Sequence, residues 1–378
     1  MYKIIRRRRH KITYVILFAL LSLYLAGCGS RDRADDEAEN VSETGALSEA
    51  AETENPSDRM RTVTIGFSQI GSESDWRMAS TKSVQNAFAE HEGWELIYND
   101  GQQKQENQIK AIREFIDQDV DYILLDPCVE TGWDSALLEA KEAGILVIVY
   151  DRDVVVQDES LYTAWIGSDF YLEGKKACTW LREYLKALGY YGDVNIVDIQ
   201  GTPGATAQIG RSKALEDAVA ENGRWHLIGQ ETGDFTTSKG REVMEEMLIA
   251  HGGNINVVYC ENDNEAYGAI EAIRKAGYRI GSNFAAHEML VLSFDSTSEG
   301  LRLTKEGTIA VNTECSPLYG PRLVSIIEQL EAGEQPEFRT YIEEEQFSAF
   351  TGIGSLRIDG NSYFVTRVTD ELLNDREY

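Results

Sequence analysis

The chain has 378 residues, 42% hydrophobic and 26% charged, more than one core organises, so two globular domains are expected. Its formal net charge of −28 argues against nucleic acid, whose affinity comes from Lys and Arg on phosphates, and against an anionic membrane surface as a direct partner. Residues 1–27 open with Arg6–Arg9 and Lys11 and continue as the uncharged apolar run Ile12–Ala26. That order is a secretory signal, and the run is shorter than the roughly 20 residues of a membrane span. Losing its six cations takes the net charge from −28 to −34. Residues 29–60 carry ten acids against three arginines and no aromatic residue. Such a segment cannot bury enough apolar surface to order itself, so 28–60 is expected to be an acidic, extended tether.

From Thr62 onward strand and helix alternate. Val63–Phe67 is an apolar strand, Met78–Glu90 has helical spacing, and Trp94–Tyr98 is a strand. Gln105–Gln118 places Ile109, Ile112, Phe115 and Ile116 on one face of a helix. Asp121–Leu125 is a strand, Trp133–Ala143 a helix closed by Gly144, and Ile145–Tyr150 a fully apolar strand ending in Asp151-Arg152. A second round follows: helix 172–188, strand 194–199, helix 207–220, strand 225–229, helix 238–250, strand 255–259, helix 266–276 closed by Gly277, and strand 289–294 ending in Asp295. Continuous apolar strands between helices predict parallel sheets covered on both faces, an α/β fold of two similar Rossmann-like halves. Polar clusters recur where strands end, after Phe67, Tyr150, Ile199, Tyr259 and Phe294. Ligands of open α/β sheets bind outside those carboxyl ends, and two such halves facing each other form a cleft.

Each cluster has a plain alternative. Asp151-Arg152 suits a ligand with several hydroxyls, since aspartate accepts and arginine donates a rigid fork, or is a surface ion pair. Gly201-Thr202-Pro203-Gly204-Ala205-Thr206 lacks the lysine of a phosphate loop and reads as a tight strand-to-helix turn. Arg211 alone reads as a solvated helix residue. Asp263 reads as a helix cap, and Asp295 before Ser296-Thr297 as part of a cap region. Glu73 and Asp75 do not form the supported carboxylate pair of a glycosidase, and no H-E-x-x-H or G-x-S-x-G appears. No catalytic residue, metal site or cofactor is expected. Cys128, Cys178, Cys260 and Cys315 are widely spaced with no C-x-x-C, and buried free thiols are the default expectation.

Two resemblances add to this reading. Leu25-Ala26-Gly27-Cys28 resembles the lipobox of bacterial lipoproteins, which implies lipidation at Cys28 and anchorage to the outer face of the cell membrane. The stretch Thr62–Pro336 resembles the periplasmic sugar-binding proteins of ABC importers, the ribose-binding-like type I group and above all its galactofuranose-binding members. The segments that carry the likeness are GFSQIGSESDWR (66–77), DGQQKQENQIKA (100–111), TGW (131–133), YDRDV (150–154), QGTPGA (200–205), GDFTTSKGREVME (233–245) and ENDN (261–264).

The resemblance implies a monosaccharide, galactofuranose-like or a related hexose or pentose, bound by Glu73, Ser74, Trp76, Arg77, Asp151, Arg152, Arg211, Asn262 and Asp295. Trp76 is expected to pack flat on ring C–H groups with its indole N–H available. Asp75 stands where the family has glycine and is counted with the site as a departure. The resemblance further implies two lobes joined by a crossing-strand hinge: 61–165 with 296–337, and 166–295 with 338–378. Crossings are expected near Trp165–Asp169, Asp295 and Glu337, and Gly352–Tyr378 has no counterpart. The expected partner is an ABC permease's transmembrane subunits, reached by a monomer touching the membrane only through its lipid. A sugar sensor presenting ligand to a membrane receptor or histidine kinase fits the same residues. A sugar-responsive repressor does not, because a signal and an acidic tether stand where its DNA-binding helices belong.

Overall fold

A computed structural model describes residues 61–378. The signal segment, Cys28 and the acidic tether lie outside the described residues. The first lobe contains β1 (Val63–Gln69), α1 (Asp75–Ala89), β2 (Trp94–Asp100), α2 (Gln105–Asp117), β3 (Tyr122–Leu125), α3 (Asp134–Ala143), β4 (Leu146–Tyr150) and β5 (Ala164–Gly167). The second contains α4 (Phe170–Ala187), β6 (Val194–Gln200), α5 (Thr206–Glu221), β7 (Trp225–Thr232), α6 (Thr237–His251), β8 (Val257–Cys260), α7 (Asp263–Lys275), β9 (Leu290–Asp295), α8 (Ser298–Lys305) and β10 (Val311–Glu314). The chain then returns for α9 (Gly320–Glu331) and β11 (Arg339–Tyr341). It finishes with β12 (Gln346–Ser348), β13 (Ser355–Ile358), β14 (Asn361–Phe364), β15 (Thr366–Arg367) and α10 (Asp370–Asp375).

The two sheets run β11-β5-β4-β3-β1-β2 and β15-β12-β10-β9-β8-β6-β7. In each, the lobe's first strand lies between its second and third, so the order 2-1-3-4-5 occurs twice. That order reverses beside the first strand and opens a crevice at the strands' carboxyl ends. The strands β3, β8 and β9 are buried along their whole length, which is why they read as unbroken apolar runs. Helices cover both faces: Ala111, Ile112 and Phe115 of α2 pack on one side of the first sheet, and Tyr319, Leu323 and Ile327 on the other.

The lobe boundaries differ from the expected ones. β10 pairs in parallel with β9, Val311 opposite Leu292, so α8 and β10 add a further βα unit to the second lobe. The chain therefore returns through 315–319 rather than at Asp295. β11 pairs with β5, Arg339 opposite Trp165, so the last crossing is 342–345 rather than near Glu337. The first crossing, after Gly167, falls where expected. The unplaced tail forms the antiparallel hairpin β13–β14, turned through Asp359-Gly360 at positive φ, and buries Ile353, Leu356 and Ile358 in the second lobe's core. Cys128, Cys178, Cys260 and Cys315 are all buried free thiols.

Candidate binding site

The two crevices face each other across a narrow cavity. Glu73, Ser74, Trp76, Arg77, Asp151 and Arg152 line it from the first lobe. Phe170, Ala207, Arg211, Phe235, Asn262 and Asp295 line it from the second, and Cys315 from the crossing. Nine of the ten expected residues meet here. The lobes also touch beside the cavity, where Glu130 N–H donates to the Gly204 carbonyl at 2.9 Å and Asp153 N–H to Thr206 Oγ1 at 3.1 Å.

In the first lobe the site is built on a helix start rather than a loop. Ser74 is the N-cap of α1, its Oγ accepting from Arg77 N–H at 3.1 Å, so Trp76 and Arg77 belong to the helix's first turn. Arg77 Nε donates to Glu73 Oε1 at 3.0 Å, and Nη1 donates to Asp151 Oδ2 at 3.1 Å and to Asp126. Burial works against this guanidinium's charge, but Asp126, Glu73 and Asp151 outweigh it and hold it protonated. Glu73 Oε2 is buried with no hydrogen-bond partner among the described residues. Arg152 donates to the Cys128 carbonyl at 2.8 Å and lies 5.2 Å from the Phe235 ring centre on the other lobe.

The second lobe repeats the motif. Arg211 stands on its first helix after β6, as Arg77 does after β1. It donates to Glu173 Oε2 at 2.8 Å, to Asp295 Oδ1 at 3.5 Å and to the Glu261 carbonyl. It is 2% exposed, so the solvated-face reading of Arg211 is corrected. Burial pushes the Asp295 carboxyl up, with Arg211 opposing. In each lobe an aspartate at the end of the fourth strand thus pairs with an arginine from the helix that follows the first strand. Asp151 (φ 58°) and Asp295 (φ 93°) both occupy positive φ, a conformation aspartate tolerates better than bulkier residues and which is concentrated at functional sites.

Four features depart from the sequence reading. Asp75 does not line the cavity; it is exposed at the first position of α1. The Trp76 indole N–H is taken, donating to the Cys315 carbonyl at 2.6 Å and tying α1 to the crossing. Asn262, not Asp263, caps α7, accepting from Glu265 N–H at 2.8 Å. Asp263 instead accepts from Ser293, Thr297 and Asn312 deep in the second lobe. Thr297, not Asp295, caps α8.

Phe170, Ala207, Phe235 and Cys315 were missed. Phe235 follows the carboxyl end of β7, where a ligand residue is expected, but its ring reaches the site only because Gly201 has no side chain: a Cβ there would lie 1.9 Å from the ring. That space, with Gly204 at φ 85°, explains the glycine-rich turn without a phosphate. Among the described residues, Glu173, Cys315 and Glu344 bring donor atoms within 4.8 Å of one another, as a metal site would. Here Arg211 already supplies a cation to Glu173, and Glu344 accepts from Ser168 Oγ at 2.8 Å and Ser316 N–H at 2.7 Å.

Comparison with known proteins agrees with this architecture. The model of the periplasmic binding protein domain matches residues 65–319. The galactofuranose-binding protein YtfQ of Escherichia coli is 40% identical over 278 residues, covering 73% of this chain and 84% of that one. A Mycobacterium smegmatis protein solved with β-D-fucofuranose superposes with a TM-score of 0.71 at 39% identity, covering 76% of this chain and 91% of that one. The binding component of an arabinose ABC transporter from Shewanella sp. ANA-3, solved with α- and β-L-arabinofuranose, gives a TM-score of 0.70 at 38% identity, covering 75% and 91%.

Proposed function

The chain belongs to the periplasmic binding protein domain family, and from that premise we propose that it binds one monosaccharide in its furanose form between the lobes and delivers it to an ABC permease. It is a binding protein, not an enzyme. Family membership implies a place outside the cytoplasm.

The observation that carries the sugar reading is the make-up of the cavity. Two arginine–aspartate pairs, Arg152 and a carboxylate oxygen of Glu73 without a partner surround a space bounded by Trp76, Phe170 and Phe235. A sugar offers hydroxyls that donate and accept, and patches of C–H. Charged acceptors and donors make the stronger hydrogen bonds, and aromatic faces take the C–H patches. In this reading Glu73 and Asp151 accept hydroxyl protons, while Arg77, Arg152 and Arg211 donate. Asp295 and Asn262 complete the second lobe's wall. Sugar draws the lobes together about the three crossings, and the permease reads the closed surface.

Lipidation at Cys28 is part of the proposal. The acidic segment 29–60 then holds a monomeric lobe pair near the permease and raises its effective concentration there. Metabolic labelling with a fatty acid tests it: label incorporated by the wild type and lost in Cys28→Ala supports the anchor, and label retained in the variant contradicts it.

The sugar reading is tested by calorimetric titration of the purified protein with arabinose, fucose and galactose. Saturable one-to-one binding of at least one supports it; no heat from any monosaccharide tried overturns it.

A further inference from the structure

Asp75 belongs to the first lobe and Asn264 to the second, and they meet outside the cavity. Asp75 N–H donates to Asn264 Oδ1 at 3.1 Å, and Asn264 Nδ2 donates to Asp75 Oδ2 at 3.5 Å and to Thr237 Oγ1 at 3.3 Å. Asp75 is the first residue of α1 and Asn264 the second of α7. Closure therefore brings two helix N-termini together, each carrying about half a positive charge. Two such ends facing each other repel, and the Asp75 carboxylate stands between them with the sign that relieves the repulsion. The Asn264 amide is held by Thr237 of its own lobe, so its orientation is set before the lobes meet.

We propose that Asp75 and Asn264 form a latch that stabilises the closed, loaded form and slows release of the ligand. This rests on the sugar-binding reading above. A latch acts on the closing equilibrium and touches no ligand atom. It therefore changes affinity for every ligand by the same factor, whereas a residue in contact with the sugar changes the ranking. Asp75 is thereby a positioning residue for closure and not a determinant of which sugar fits.

The test is stopped-flow sugar binding and release, followed by tryptophan fluorescence, for the wild type, Asp75→Ala, Asn264→Ala and the double variant. Asn264→Ala is expected to speed release about three- to tenfold, the range of one or two hydrogen bonds, and Asp75→Ala by less, because its backbone N–H still donates to Asn264 Oδ1, with the association rate unchanged in both. The double variant is expected to match Asn264→Ala, because that change already removes both bonds between the lobes. Relative affinities among sugars are expected to stay as in the wild type, and melting without sugar to be unaltered. Release at the wild-type rate in both single variants overturns the latch, as does a double effect equal to the product of the singles. A changed sugar ranking in Asp75→Ala returns Asp75 to the binding site and also overturns it. If the wild type binds no sugar, the proposed function itself falls and the latch with it. A wild type that binds, with variants that behave identically, sinks the latch alone.

Discussion

Arg77 is 3% exposed and holds three carboxylates around one guanidinium, so its loss strands buried carboxylates that lose their hydrogen-bonded cation. Arg77→Ala is expected to destabilise the protein by about 3–5 kcal/mol, read from urea unfolding without sugar. Arg152 is different: its partners within the protein are one carbonyl and the face of Phe235, so Arg152→Ala is expected to leave the fold intact and remove the sugar-induced rise in melting temperature. A full rise in that variant would place the sugar elsewhere. Asp198, wholly buried in β6, is pushed up to about 7 by burial, with Gln230 donating to it at 3.2 Å in opposition. A carboxyl raised in the folded state contributes stability that is full below its ordinary value near 3.8 and is lost as the pH rises through 7. Asp198→Asn, which mimics the neutral acid, is expected to melt higher than the wild type at pH 8 and to gain less at pH 5; an equal change at both would contradict this. Asp151-Arg152 was legible at this scale because it follows the most apolar strand of the first half. The engaged indole of Trp76 was not, because its acceptor is 239 residues away in sequence.

The long, periodic helices and the buried strands were legible because their own residues carry the pattern. Gln105–Gln118 was expected and Gln105–Asp117 is found. Helix starts were less so: α1 begins at Asp75 instead of Met78 and α7 at Asp263 instead of Ala266. In each case the cap, Ser74 or Asn262, sits in a polar run that reads as binding loop, and the residue serves both purposes. The short strands β5, β10, β11 and β12 have three or four residues each, and their identity comes from the neighbour they pair with. The tail is similar: β13 alternates exposed and buried residues, but only the core it covers makes the pattern meaningful. Leu356 on that strand is 1% exposed, so Leu356→Ala is expected to cost about 2–5 kcal/mol in urea unfolding. Wild-type stability in that variant would mean that the tail does not hold the second lobe's core.

At the scale of the whole molecule, two α/β halves with polar clusters at their strand ends followed from the sequence pattern alone. The boundaries did not, because the second lobe carries one more βα unit than the first. That unit, α8 and β10, moves the return crossing past Asp295 to the segment holding Cys315, whose carbonyl receives Trp76 and which lines the cavity. Cavity wall and crossing therefore share a residue. The account stands on a monosaccharide filling the cavity between these lobes. Its most direct measurement is a thermal-shift series of the purified protein against pentoses and hexoses. A sugar at 100 times its dissociation constant adds about 2.7 kcal/mol to stability. The expected result is a clear rise in melting temperature for one or a few furanose-forming sugars, arabinose, fucose and galactose among those tried, growing with concentration. A melting temperature that no sugar moves at any concentration would contradict the account.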